Sequence, residues 1–369
     1  MDKLSLRQFI VITFLIGLAM KMFNLPVLML RLCGRDAFIV LLIEAAADFV
    51  LLGVVIAVIV LARGKTLFEL LENAFGGIVA RIIAVVAGLF CLLKLFVMII
   101  DVRIFFSNTV FNAPLGAAHV LPLIVLLIYF ALKPLSGAGR LGELFAPAVV
   151  ISMALLGVLT VGKVDFGGLR PLLAEGSGPI KDGLSSLFIW FGDFSLLLMA
   201  TGKADGGKKL FFAFPAGIAA FACMTLFSAV LFASYGDMPE MLSYGHSISN
   251  ITQYAVGSFK FGRFDLLIFA MWLGAVFVSS GMIAAFFARC MNYAFGGKVG
   301  RVILVLGGAA IFVATMFTVN LNTVTELAMV YFNIPAAAVQ YGLPVICVIA
   351  LIAGSRKRRK HEINEKMPQ

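Results

Sequence analysis

Charge is scarce in this chain. Only 13% of its 369 residues are Asp, Glu, Lys or Arg, and its mean hydropathy is +1.06. A soluble domain carries about twice that share of charge, so a water-soluble fold is excluded. Histidine is scarcer still, with 3 residues, and tryptophan has 2. The five cysteines, Cys33, Cys91, Cys223, Cys290 and Cys347, are scattered with no C-x-x-C pair and no His cluster beside them. That spacing indicates neither a metal site nor a disulfide framework, and a thiol inside an apolar span behaves as a small hydrophobe. A phosphate-cradling glycine loop and a zincin helix are also missing. His246 lies among Ser247 and Ser249, but no Asp stands at a spacing that suggests a nucleophile triad. No enzyme chemistry, cofactor or metal is therefore expected.

What the chain has instead is apolar length, with 62% hydrophobic residues and 35 Phe. A span of about 20 apolar residues crosses roughly 30 Å of hydrocarbon. Ten such spans are expected near 7–30, 36–62, 79–106, 117–133, 141–162, 184–201, 210–235, 264–290, 301–320 and 334–354. The reading is an all-α integral membrane protein, with a single transmembrane domain over 1–354 and a basic tail over 355–369. No A-x-A site closes the first apolar run, so that helix is expected to be retained. With the N-terminus in the cytoplasm, the inner segments hold most of the 29 Lys and Arg, as the positive-inside rule requires. Both termini are then cytoplasmic. Topology thus explains the net charge of +10 better than nucleic-acid binding does. Two outer connections, 163–183 and 236–263, are long enough to act as gates, docking surfaces or inert covers.

Ten helices divide into five and five, a first repeat over about 7–162 and a second over about 184–354. The first span, Val11 to Pro26, contains Gly17, Lys21 and a proline, all of which interrupt a helix. Its counterpart five helices later, Leu187 to Leu198, sets Gly192 and Asp193 in an apolar run. A carboxylate at bilayer depth costs roughly 3 kcal/mol or more, and glycine weakens a helix by about 1 kcal/mol relative to Ala. Two readings stand: a helix that breaks at mid-depth, or a continuous one whose Asp193 is paired with a basic residue. Interrupted, polar helices at matching positions of two halves point to an inverted repeat with a midplane site.

Other intramembrane polar residues are few enough to name. Glu44 and Asp48, spaced i, i+4, stack on one helix face. Such a pair suits a proton relay or a cation site, or is structural and neutralised by Lys21 or Lys94. Lys94 and Asp101, spaced i, i+7, share a similar face. Lys94 either binds a substrate carboxylate or satisfies Glu44 or Asp48. Arg103 is expected to snorkel to the outer surface, and Glu143 to sit at the inner interface beside Arg140. Ser279, Ser280 and Gly281 offer hydroxyls for a ligand or merely a close helix contact.

Several ordered segments resemble the spore germination permease family, the polytopic B subunits of nutrient germinant receptors within the amino acid/polyamine/organocation superfamily. They are SLRQFIVITFLIG near the N-terminus, Gly34-Arg35-Asp36-Ala37, GKTLFELLENAFG at Gly64 to Gly76, and ELFAP at Glu143 to Pro147. The loop DFGGLRPLLAEGSGPIKDG then leads into WFGDF. The resemblance implies a ten-helix 5+5 inverted repeat with helices 1 and 6 broken around a small-molecule site. It also implies a nutrient such as an amino acid, and partners in a large membrane A subunit and a lipoprotein C subunit. Carried over, the glycine near the first break is Gly17, and the acid near the second is Asp193, shortened from the more usual Glu. Gly17, Leu18, Lys21, Phe191, Gly192, Asp193 and Ser279 are then the expected substrate-binding set. Glu44, Asp48, Lys94, Asp101 and Asp193 are the candidates for ion or proton coupling. Lys21, Glu44 and Asp48 depart from the family pattern, so the ligand need not be a simple neutral amino acid. An autonomous, proton-coupled amino acid transporter fits the same architecture.

Overall fold

The computed structural model describes residues 3–19, 21–22, 25–107, 116–160, 173, 176–234, 264–318 and 327–365. Among these residues the chain is helical, with one isolated β-bridge between Leu4 and Ala204 and no strand. The α-helices are α1 (Leu6–Leu18), α2 (Leu25–Cys33), α3 (Ala37–Leu61), α4 (Leu67–Phe75), α5 (Gly77–Phe105), α6 (Leu121–Ala131) and α7 (Leu135–Thr160). They continue with α8 (Gly178–Ser186), α9 (Phe214–Ser234), α10 (Phe264–Phe295), α11 (Gly297–Phe317) and α12 (Asn333–Glu365). Seven helical segments are long and apolar enough to cross a membrane, and an eighth if one bent pair is a single span. Large side chains such as Val50, Ile78, Val158, Ile334 and Phe317 stand exposed on the outside of the bundle. Apolar surface on this scale marks contact with lipid, and the chain is an integral membrane protein.

Local rules set the helix starts. Ser5 accepts from the Gln8 N–H at 3.3 Å while the Gln8 side chain accepts from the Ser5 N–H at 3.2 Å, a reciprocal cap that opens α1. Thr66 and Glu69 open α4 in the same way. The helix α8 begins at Gly178, inside the stretch expected to be an outer connection, because Pro179 suits the first turn of a helix. The rest of 163–183, apart from Leu173, Gly176 and Ser177, lies outside the described residues, as do 236–263 and His246.

The helix α10 is the central post, packed against α5, α6, α7 and α11. Gly281 permits one of these approaches, since a Cβ there would lie 2.5 Å from the Phe130 ring. Gly281→Val is expected to destabilise the bundle by about 1–3 kcal/mol through overpacking. Thermal unfolding in detergent measures this, and an unchanged transition would contradict the packing.

One span is bent and interrupted, and a short gap separates α1 from α2. The helix α1 stops at Leu18, and α2 starts at Leu25. Beyond α8, a short 3-10 turn, Phe188–Trp190, leads to Phe191 and Gly192, and a second 3-10 segment runs Asp193–Ala200. The arms Gly178–Ser186 and Phe188–Ala200 meet at 49°, the bend falling at Leu187. Gly192 sits in the left-handed region at φ 74°, which glycine enters without the steric penalty of a Cβ. Below the break the chain turns at Gly202, which packs against the carbonyls of Gly64 and Lys65. Leu4 joins the same turn, donating its N–H to Lys203 and accepting from the Asp205 N–H, both at 2.9 Å.

Candidate functional site: an ion-paired cluster at the broken span

The interruptions bring buried charge together. Lys21 lies in the gap between α1 and α2, Glu44 and Asp48 on α3, Lys94 and Asp101 on α5, and Asp193 at the second break, all buried. Lys21 is ion-paired with Asp48, and Lys94 with Asp193. Asp48 also accepts the Gly192 N–H at 2.7 Å and a long contact from the Tyr341 hydroxyl at 3.5 Å. One carboxylate thereby ties α3, the α1–α2 gap, the second break and α12 to one point. The Lys21 ammonium lies 4.8 Å from the Phe191 ring centroid and 5.7 Å from that of Phe194, close enough for cation–π attraction.

A broken helix leaves backbone groups that must find partners. Asn333 supplies two: its Oδ1 accepts the Ile189 N–H at 3.0 Å, and its Nδ2 donates to the Ser185 carbonyl. With Asp48 on Gly192, the break is splinted by side chains from α3 and α12. Among the described residues, in contrast, Glu44 accepts no hydrogen bond at either oxygen and neither amide atom of Gln340 has a partner. Gln340 faces the break directly, because a Cβ on Gly192 would meet its Cβ at 2.7 Å.

Several expectations are refined by this geometry. The span at Asp193 is broken, and Asp193 also has a basic partner. Lys94 neutralises Asp193 rather than Glu44 or Asp48, since packing of α5 against its neighbours aims it at the break. Lys94 and Asp101 do share a face, lining one small cavity with Ile189 and Trp190. Arg103 is half-buried and donates to the Thr315 carbonyl at 2.8 Å, an acceptor left over as α11 ends at Phe317. Glu143 pairs with Arg7 at 3.1 Å rather than with Arg140, because α1 packs on α7 there. Gly17 fits α1 against Phe194 and Ala220, with a Cβ 2.9 Å from the Phe194 ring. Leu18 is buried as the last residue of α1, and the Ser279 hydroxyl donates to the Leu15 carbonyl at 3.2 Å. Asn333, Gln340 and Tyr341 were missed by reasoning from charge; polar residues in an otherwise apolar final span were the available signal.

The cluster is closed. Beside Lys94 and Asp101 the space is about 20 Å³, and among Gly17, Lys21, Asp48 and Phe191 about 10 Å³. About one water fits a volume of that size, so a small organic ligand requires the pairs and the break to open. Among the described residues, no group of three or more His, Cys, Asp or Glu is placed to hold a metal.

A polytopic helical bundle with a charged cluster buried at an interrupted span is a membrane protein of the permease type. Its family follows from comparison: the chain belongs to the spore germination protein family, whose model matches residues 3–324. No curated protein matches the chain.

Proposed function

We propose that this chain is the membrane subunit of a spore germinant receptor that binds an amino acid or similar small nutrient between its two broken spans and triggers germination. The observation that carries this reading is the pairing of Lys21 with Asp48 and Lys94 with Asp193 around the Gly192 break. Each pair holds the opposite charges that a zwitterion presents. A ligand carboxylate would displace an Asp from its Lys, and a ligand ammonium would displace a Lys from its Asp. Binding would thus favour an open arrangement over the closed one. The rest of the proposal is the ten-helix 5+5 repeat over 7–162 and 184–354, with both termini cytoplasmic in the spore inner membrane or cell membrane. A large A subunit and a lipoprotein C subunit would relay the change, without enzyme chemistry or nucleic acid.

Glu44 favours a second reading, a stand-alone proton-coupled amino acid transporter, because an unpartnered buried carboxylate beside Asp48 is a place to load a proton. Labelled amino acids, offered to the purified chain in liposomes with and without a pH gradient, separate the two. The expected result is saturable binding without concentrative uptake, weakened by roughly tenfold or more in Asp193→Asn through loss of about one charged contact. Concentrative uptake lost in that variant would make the chain a transporter. Absence of both binding and uptake would overturn both readings.

A further inference from the structure

A second, larger cavity lies away from the ion pairs, where the end of α3, the helix α4 and the last apolar turns of α12 meet. It encloses about 440 Å³ and opens to the outside. One wall carries Arg63 and Lys65, both exposed and neither in an ion pair among the described residues. The lining also has an apolar part, with Leu61 and Ile352 both exposed. Arg63 occupies the left-handed region at φ 50° and Gly64 follows at φ 85°, so the turn holds its two cations at the rim of the cavity. Just past Gly354, which also lines it, α12 continues through Arg356, Lys357, Arg358, Arg359 and Lys360. Positive charge is therefore concentrated where the bundle leaves the hydrocarbon.

We propose that this cavity binds the phosphate headgroup of an anionic phospholipid, with Arg63 and Lys65 on the phosphate and the acyl chains along Leu61 and Ile352. Charge complementarity selects an anion, and the apolar wall selects one that carries hydrocarbon; basic pockets between helices at membrane interfaces take such headgroups. The site also has an address. Gly202, directly beyond the broken span, packs on the carbonyls of Gly64 and Lys65, so the headgroup would sit on the turn that abuts the end of that span. Nothing in this inference depends on which small nutrient, if any, the ion-paired cluster accepts.

Native mass spectrometry of the purified chain tests it, using phosphatidylglycerol and phosphatidylcholine with the same acyl chains, and glycerol phosphate as a soluble phosphoester. Phosphatidylglycerol should bind more tightly than phosphatidylcholine. Arg63→Gln with Lys65→Gln should weaken phosphatidylglycerol roughly thirtyfold, at about fivefold per basic residue near an anionic headgroup, whereas Lys65→Arg should retain it. Neutralising residues 356–360 alone should leave a preference for phosphatidylglycerol. Equal binding of the two lipids, or unchanged binding in the double variant, would overturn the proposal. So would glycerol phosphate binding as tightly as the lipid, or a preference lost only with the tail.

Discussion

Lys94→Met alone is expected to destabilise the protein by about 3–5 kcal/mol, because it strands the Asp193 carboxylate in a place without solvent. Asp193 is fully buried, and the other nearby cation, Lys21, is already held by Asp48. Removing both charges, as Lys94→Met with Asp193→Leu, should recover most of that loss, since apolar residues of similar volume often replace a buried pair at little net cost. Thermal unfolding of wild type, both single variants and the double variant in detergent measures the coupling between the two residues. A double variant no more stable than the singles would mean that the pair is not the unit. Ligand response should behave oppositely: the stable double variant lacks both groups that a zwitterion would engage and should remain silent.

Gly192→Val should be nearly as damaging, for reasons that can be separated. At φ 74° a Cβ costs roughly 1–2 kcal/mol from the backbone alone, and a β-branched residue is a severe outlier there. The added carbon would also press on Gln340, whose Cβ lies 2.7 Å away, for about another 1–3 kcal/mol of overpacking. Gly192→Ala combined with Gln340→Gly removes the Cβ–Cβ collision and leaves the backbone penalty, with Gln340→Gly alone as the reference for the roughly 1 kcal/mol that glycine costs a helix. Unfolding measurements on Gly192→Ala, Gln340→Gly and the two combined should therefore show partial recovery once the cost of Gln340→Gly is subtracted. Full recovery would mean that the left-handed conformation is not required at the break, and no recovery that Gln340 moves aside freely.

The break could be read from Gly192 and Asp193 because each is expensive in an apolar helix and the two are adjacent. Glu44 and Asp48 were legible as a pair for the same reason, one face of one helix. The partner of Lys94 was not, since Asp193 stands 99 positions along the chain and only the packing of α5 decides which buried acid it meets. Arg103 illustrates a second limit. Its acceptor is a backbone carbonyl freed by the end of another helix, and no side-chain pattern announces such a group. Gln340 and Tyr341 escaped because neutral polar residues are common enough in spans to carry little signal, yet they line the break. The Ser279 hydroxyl donates to the Leu15 carbonyl of α1, a backbone acceptor that side-chain spacing does not announce either. Helix count is limited by physics of another kind: α1 and α6, with 13 and 11 residues, fall short of a crossing by length alone.

The 3-10 winding of Asp193–Ala200 has a mechanical meaning. Such runs seldom exceed three or four residues, and this one has eight. At about 2.0 Å per residue against about 1.5 Å for an α-helix, rewinding it would shorten the segment by about 4 Å and turn its two ends by roughly 160° relative to each other. Asp193 is at one end, and the turn that holds Leu4 and the Gly64–Lys65 carbonyls follows the other. Were release of the Lys94–Asp193 pair to let this segment rewind, the carboxylate at its head would be coupled to travel and torque at the far end of the span.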